Sequence, residues 1–263
     1  MSRSDLVVRN YYTGELLHFR HQGALDGPKT YAEALLISDR FGPRSVEWLG
    51  IGDFTGGGGT DLVAVTPAGR CVLYPGTPGP GGGLVLDGPL DLGCDLSRGA
   101  YHSLAVADVD GDGRVGIVAR RAGSPVVDVL RTEIVAGRPR LRAPEVLAEV
   151  ARTDYLIGMA DVTGDGRLDL VVSRANGQLA AFELGLAGDP PRWHPVIQVA
   201  AGHRIVAIAD VSGDGRPDML AVRADGTLVA YPHAGGFRPG HPLATFLSPV
   251  PLGAGWGEFD IIN

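Results

Sequence analysis

Short runs of hydrophobic residues, four to six long and broken by glycine-rich turns, recur along this chain with the period-2 alternation of β-strands. One apolar run covers residues 104–107, 157–160 and 206–209, and another covers 169–173 and 218–222. After a Gly turn comes an alternating run such as Leu179-Ala-Ala-Phe182, Leu228-Val-Ala-Tyr231 or Cys71-Val-Leu-Tyr74. A fourth run, for example residues 196–200, follows a variable Pro/Gly-rich connection. No helical period is present. Four short strands per copy predict a propeller blade.

Between the first and second runs lies an Asp-rich loop: ADVDGDGRVGIV at 107–118, ADVTGDGRLDLV at 160–171, ADVSGDGRPDML at 209–220 and a degenerate GDFTGGGGTDLV at 52–63. The first aspartates are Asp53, Asp108, Asp161 and Asp210, so the unit repeats at intervals of 55, 53 and 49 residues. Such self-similarity means one supersecondary unit stacked on copies of itself. At the N-terminus, residues 5–9 and 16–19 match the second and third strands. At the C-terminus, residues 256–263 match the first, with Ile261-Ile-Asn263 over Ile208-Ala-Asp210. The prediction is an all-β, five-bladed β-propeller of four-stranded blades, closed by pairing the N- and C-terminal strands in one shared blade. It forms a single domain over residues 1–263. The shared blade takes 1–40 and 254–263; the others take about 41–95, 96–150, 151–200 and 201–253.

Composition supports this picture. The 40 glycines and 19 prolines read as turn chemistry, and 44% hydrophobic content argues against disorder. The formal charge is −7, and the chain has no basic stripe and few lysines, which excludes nucleic acid as a partner. No segment is long enough to span a membrane, and the partner expected is a small molecule. The chain opens without an apolar signal-type stretch, so a cytoplasmic location is expected, although a signal already removed would leave the same sequence. Two cysteines are too few for a disulfide framework. Cys71 takes the position held by Leu16, Leu179 and Leu228 and reads as a small buried hydrophobe rather than a partner of Cys94.

The Asp loops resemble the FG-GAP/VCBS repeat family, which includes integrin α-chain propellers and several microbial lectins and secreted enzymes. Alternating oxygen-bearing side chains in a glycine-bent loop suit a hard cation with six to eight oxygen ligands. Calcium ligands are expected at Asp161, Thr163, Asp165 and Asp169 with the Arg167 carbonyl, and at Asp210, Ser212, Asp214 and Asp218 with the Arg216 carbonyl. The loop at Asp108, Asp110 and Asp112, with the Arg114 carbonyl, has Gly116 in place of a closing carboxylate. Gly57 replaces the central aspartate of the Asp53 loop, which is not expected to bind metal; the fifth loop keeps only Asn263 and Asp5. Two or three structural calcium ions are expected and no organic cofactor. Three divalent ions would bring the net charge to about −1.

Aligning the copies shows where function can reside. Two and four residues before the first loop aspartate, the columns Ile51/Val106/Met159/Ile208 and Leu49/Leu104/Ile157/Val206 are uniformly apolar and predict core. Six and seven residues before it the columns diverge: Glu47, His102, Tyr155, Arg204 and Gly257; Val46, Tyr101, Asp154, His203 and Trp256. In a propeller these strand starts surround a central funnel on the face opposite the metal loops. Glu47, His102, Asp154, Tyr155, His203 and Arg204 are the candidate catalytic groups. Trp48, Tyr101, Trp256, Glu258, Arg174, Arg223 and Tyr11 are candidate substrate contacts, with Asn10, Tyr12 and Arg121 on the same face. Histidine beside a carboxylate suits acid–base work near neutral pH. Tryptophans 48, 193 and 256 fall in three different columns, unlike the repeated sugar site of a lectin. The leading reading is therefore an enzyme of lyase, cyclase, isomerase or hydrolase type acting on a small organic substrate. The alternative is a carbohydrate- or protein-binding propeller without catalysis.

Overall fold

The computed structural model describes residues 5–42, 44–184, 192–198, 202–237 and 245–262. In chain order the first strands are β1 (Leu6–Asn10), β2 (Leu16–Phe19) and β3 (Leu35–Ser38). The next blade has β4 (Trp48–Gly52), β5 (Asp61–Val65), β6 (Arg70–Tyr74) and, after a ribbon of β7 (Gly76–Pro78) and β8 (Leu84–Leu86), β9 (Leu90–Asp95). Then come β10 (Tyr101–Ala107), β11 (Gly116–Arg121), β12 (Val126–Leu130), a second ribbon of β13 (Thr132–Val135) and β14 (Arg138–Leu141), and β15 (Glu145–Glu149). The next two blades are β16 (Tyr155–Ala160), β17 (Asp169–Ser173), β18 (Gln178–Glu183), β19 (Arg192–Gln198) and β20 (Arg204–Ala209), β21 (Asp218–Val222), β22 (Leu228–Tyr231), β23 (Val250–Gly253). The last strand, β24 (Phe259–Ile262), lies beside β1 in the sheet β24-β1-β2-β3.

Five four-stranded antiparallel blades make this a five-bladed β-propeller fold, with N- and C-terminal strands sharing one sheet. The expected strand in residues 256–263 is shorter than predicted. Trp256–Glu258 is a 3-10 turn, entered from Gly255 in the left-handed region (φ 89°), and only Phe259–Ile262 is extended. Asn263 lies outside the described residues. The two ribbons were not expected, because their strands fall inside connections read only as Pro/Gly-rich.

The chain divides into two compact units. One comprises Met1–Leu6, Phe19–Ala34 and Thr153–Ile261; the other comprises Val7–His18, Leu35–Arg152 and the last two residues. In the first unit Val162, Val171, Leu179, Ala181, Val196, Met219, Ala221 and Val229 form a core against Phe246. In the second, Phe54, Val63, Leu73, Leu92, Ile117, Leu130 and Leu141 do so. The columns read as core in the innermost strands are mostly only partly buried, Leu49 excepted. The small residues one position off, Ala105, Ala107, Ala207 and Ala209, are the buried set. Leu104, Val106, Ile157 and Ile208 instead pack onto the edges of the two cores.

Cys71 and Cys94 are joined, with Cα atoms 5.7 Å apart, against the expectation of an unpaired buried thiol. The reason lies in the fourth strand. Arg70 faces Asp95 and Val72 faces Asp91, so β9 bulges opposite Cys71 and carries Cys94 to it. That register follows from long-range pairing, not from any local pattern.

Candidate functional site

The four Asp loops share one backbone path. In each, the carboxylate of the first aspartate accepts N–H bonds from residues three to five positions on: Gly164, Asp165 and Gly166 at Asp161; Gly213, Asp214 and Gly215 at Asp210; Gly111, Asp112 and Gly113 at Asp108; Gly56, Gly57 and Gly58 at Asp53. Two glycines in each wrap have positive φ, for example Gly164 at 77° and Gly166 at 86°, where other residues are strained. The degenerate loop folds identically, so the wrap is set by the first aspartate and the glycines, not by the central carboxylate.

The closing aspartates do a second job. Asp169 is 1% exposed, and its carboxylate accepts N–H bonds from Val162 and Thr163. Asp218 accepts from Ser212 and His233, and Asp61 from Phe54, Thr55 and Gly76. Burial pushes the Asp169 carboxyl up to about 6 and raises that of Asp218, against the lowering effect of these N–H bonds. Gly116 takes this place in the Asp108 loop, where a Cβ would sit 2.5 Å from the Leu130 carbonyl oxygen.

Among the described residues, Asp108, Asp110 and Asp112 form a group of carboxylates with ligand oxygens within 4.8 Å of one another. Two arginines already answer this charge: Arg114 pairs with Asp112, and Arg131 lies 3.3 Å from Asp110. All-oxygen donors on a glycine-bent loop fit a hard divalent cation, which would compete with those guanidinium groups. The Asp161 and Asp210 loops carry oxygen donors as well, but among the described residues their carboxylates do not gather within 4.8 Å of one another, and the closing Asp169 and Asp218 are engaged by backbone amides.

The strand ends opposite the loops carry the divergent polar residues. In the 153–261 unit, Asp154 is 2% exposed, and its carboxylate is 3.9 Å from Nε of Arg174. The Arg174 guanidinium lies 4.0 Å over the ring of Trp193, and its Nε makes no hydrogen bond. Nδ1 of His203 meets the Tyr231 hydroxyl at 2.9 Å, and burial raises the phenol's pKa. Tyr155 is exposed, and Arg204 donates to the Phe259 carbonyl. Trp256 is only 7% exposed and packs on Phe19, so it belongs to the core and not to an accessible wall. Glu258 is exposed on the 3-10 turn beside it, and Arg223 closes the β21–β22 turn by backbone bonds with Thr227 and Gly226.

In the 35–152 unit, Asp128 is fully buried. It accepts two bonds from Arg121, at 2.6 and 2.9 Å, and one from the Tyr101 hydroxyl at 3.2 Å. Burial and the Asp128 charge raise the pKa of Tyr101. Partial desolvation and the Arg120 guanidinium hold His102 below the ordinary histidine value. Glu47 pairs with Arg98 at 3.3 Å, and Trp48 packs on the core. Tyr11 and Tyr12 stand exposed, edge to face, on a turn whose amides bond to the Asn10 side chain.

Residues 161–221 match the model of the FG-GAP-like repeat. This stretch begins at the Asp161 wrap and ends one strand past the Asp210 wrap. The chain is a β-propeller with an FG-GAP-like repeat segment. The match takes in two of the four Asp loops. No curated protein sequence matches this chain. Among solved structures it is similar to the Photorhabdus luminescens Tc holotoxin pore, at 17% identity and TM-score 0.46, over 88% of this chain and 12% of that one. It is also similar to rhamnogalacturonan lyase YesW, at 15% identity and TM-score 0.33, over 92% of this chain and 58% of that one.

The propeller also contains a histidine clasp that the divergent positions do not include. His233 Nε2 lies 3.1 Å from the Val162 carbonyl, while its Nδ1 accepts from Gly235 N–H and its own N–H donates to Asp218. His21 repeats the pattern: Nε2 to Val211, Nδ1 from Gly23, N–H to Asp5. Each ring sits edge to face on an aromatic, Phe246 or Tyr31. The accepting Nδ1 assigns the proton to Nε2, so each ring donates to the loop of the preceding blade. The signal available in the sequence was a histidine 15 or 16 residues after the closing-column aspartate in two copies.

Proposed function

We propose that this FG-GAP-like propeller is an enzyme that uses its divergent strand ends for acid–base chemistry on a small organic molecule. The observation that carries the reading is the buried Asp154 beside Arg174, whose Nε is left without a hydrogen bond. A carboxylate held out of water next to an unsaturated guanidinium is an arrangement that binding and proton-transfer sites use. In this reading Arg174 and Arg204 take an anionic group, and Asp154 and His203 exchange protons. His203 does so through Nε2, because Nδ1 is engaged by Tyr231. Tyr155 supplies a phenol donor. Glu47, Tyr101 and His102 are assigned corresponding roles in the other unit.

Calcium is proposed as the scaffold's ion, held by Asp108, Asp110 and Asp112 and by the Asp161 and Asp210 loops. When bound it would neutralise clustered carboxylates and stiffen the turns. The Cys71–Cys94 bond supports action in an oxidising compartment rather than the cytoplasm.

The test begins with native mass spectrometry of protein purified from its source, seeking one co-purifying small molecule per chain. With that ligand as substrate, Asp154→Asn and His203→Ala should each lower turnover by about 10²–10⁴. Arg167→Ala, on an Asp loop, should stay near wild type. Unchanged turnover in both site variants would overturn the assignment. A second reading, sugar binding without catalysis, is favoured by Trp193, which is 47% exposed. Glycan binding lost in Trp193→Ala, with no product formed, would select it.

A further inference from the structure

The first blade, β4-β5-β6-β9, differs from its neighbours twice over. Its Asp loop has Gly57 where the other three loops place Asp112, Asp165 and Asp214, and it contains the Cys71–Cys94 bond. The bond also falls where the pairing of this sheet is irregular. Between Arg70–Asp95 and Val72–Asp91 the register of β6 on β9 slips, and Gly93 takes φ 73° in the bulge. β9 is the outer strand of this blade, yet its Leu92 is fully buried, and the ribbon strand β14 rests on it with Leu141 in the same core. Losing β9 would therefore uncover Leu92 and release the ribbon as well. A covalent link at the bulge removes that opening from the accessible states.

We propose that the Cys71–Cys94 bond is a redox-sensitive clamp that stabilises a blade whose Asp loop, lacking its central carboxylate, cannot complete a calcium site. The chain thus has two separate stability controls, divalent cation on the Asp108, Asp161 and Asp210 loops and thiol redox state on the first blade. Opening the clamp takes two electrons and two protons from a dithiol reductant. The S–S bond breaks, Cys71 and Cys94 become thiols, and the reductant leaves as its own disulfide. The Gly57 loop is otherwise intact. Asp53 is wrapped by three amides, and Asp61 closes the turn. A Cβ at position 57 would meet only the Thr55 hydroxyl, at 3.5 Å, and the backbone there is not in the left-handed region. Gly57→Asp should therefore rebuild the missing carboxylate without strain.

The inference rests on the calcium reading, and the experiment separates the two. Melting temperature is measured with calcium or chelator, with and without a dithiol reductant, for wild type, Cys71→Ser/Cys94→Ser and Gly57→Asp. The bound calcium is counted by calorimetry. In saturating calcium, reduction or the double serine variant should lower the melting temperature by several degrees. Amide exchange should rise first in β9 and β14. Gly57→Asp should bind one more calcium per chain and recover part of the loss in the reduced protein, in calcium only. An unchanged melting temperature on reduction would overturn the clamp. Failure of Gly57→Asp to bind the extra ion would overturn the claim that Gly57 is what disables this loop. Absence of any calcium response in the wild type would instead sink the calcium reading, and the reductant response would then stand alone.

Discussion

Single carboxylates carry two distinct loads in the Asp loops, and variants can separate them. Asp53 and Asp161 each gather three backbone amides, so alanine at either should cost about 1 kcal/mol in chelator. Only Asp161→Ala should also blunt the calcium-dependent rise in melting temperature, because the Asp53 loop lacks its central carboxylate. Equal loss of calcium response would mean that the degenerate loop binds metal. Asp169 gives a pH signature. Its folded pKa of about 6 lies above the ordinary carboxyl value, so between about pH 4 and 6 the folded chain holds a proton the unfolded chain has released. Without divalent cations this group's contribution to stability therefore rises as pH falls from 7 towards 5, and Asp218 acts in the same direction. Asp169→Asn should flatten that slope in chelator-buffered melts. A wild-type slope identical to the variant's would show that burial does not strain this carboxylate.

Between elements, the two histidine clasps tie a β-blade's third-strand exit to the loop of the blade before it. His233 is 6% exposed, so His233→Ala would leave the Val162 carbonyl and the Gly235 amide without partners and open a void beside Phe246. The expected cost is about 2–4 kcal/mol by chemical denaturation. His21→Ala should cost less, since that ring is only partly buried. His233→Phe should restore packing but not the hydrogen bonds, and so recover only part of the loss. Full recovery would reduce the clasp to ring packing. The closing-column aspartates were read from the sequence as calcium ligands alone. Their role in holding the histidine backbone left only a spacing in the sequence, because it joins residues 15 or 16 apart at the two ends of a hairpin.

At the scale of the whole chain, stability depends on β24 lying beside β1 in the shared sheet. Deleting residues 259–263 should expose the β1 edge and abolish cooperative melting or cause aggregation. A truncated chain that melts like the full one would remove this sheet pairing from the account of stability. What the sequence determined alone was everything set by local chemistry. Period-2 alternation marked the strands, positive-φ glycines marked the wraps, and a repeat near 50 residues marked the blades, so the fold class and the shared terminal blade were legible. The Asp loops were legible for the same reason, each being contained within about a dozen residues. The candidate site was legible only as a set of positions. That Asp154 sits with Arg174 and Trp193, that Asp128 holds Arg121 and Tyr101, and that Trp256 is core were decided by tertiary structure. So were the Cys71–Cys94 bond, the histidine clasps and the close approach of Gly116 to the Leu130 carbonyl. Each depends on the register of one strand against another or on the approach of segments distant in the chain. A periodic pattern fixes which face a residue occupies, but it does not encode which residue arrives opposite.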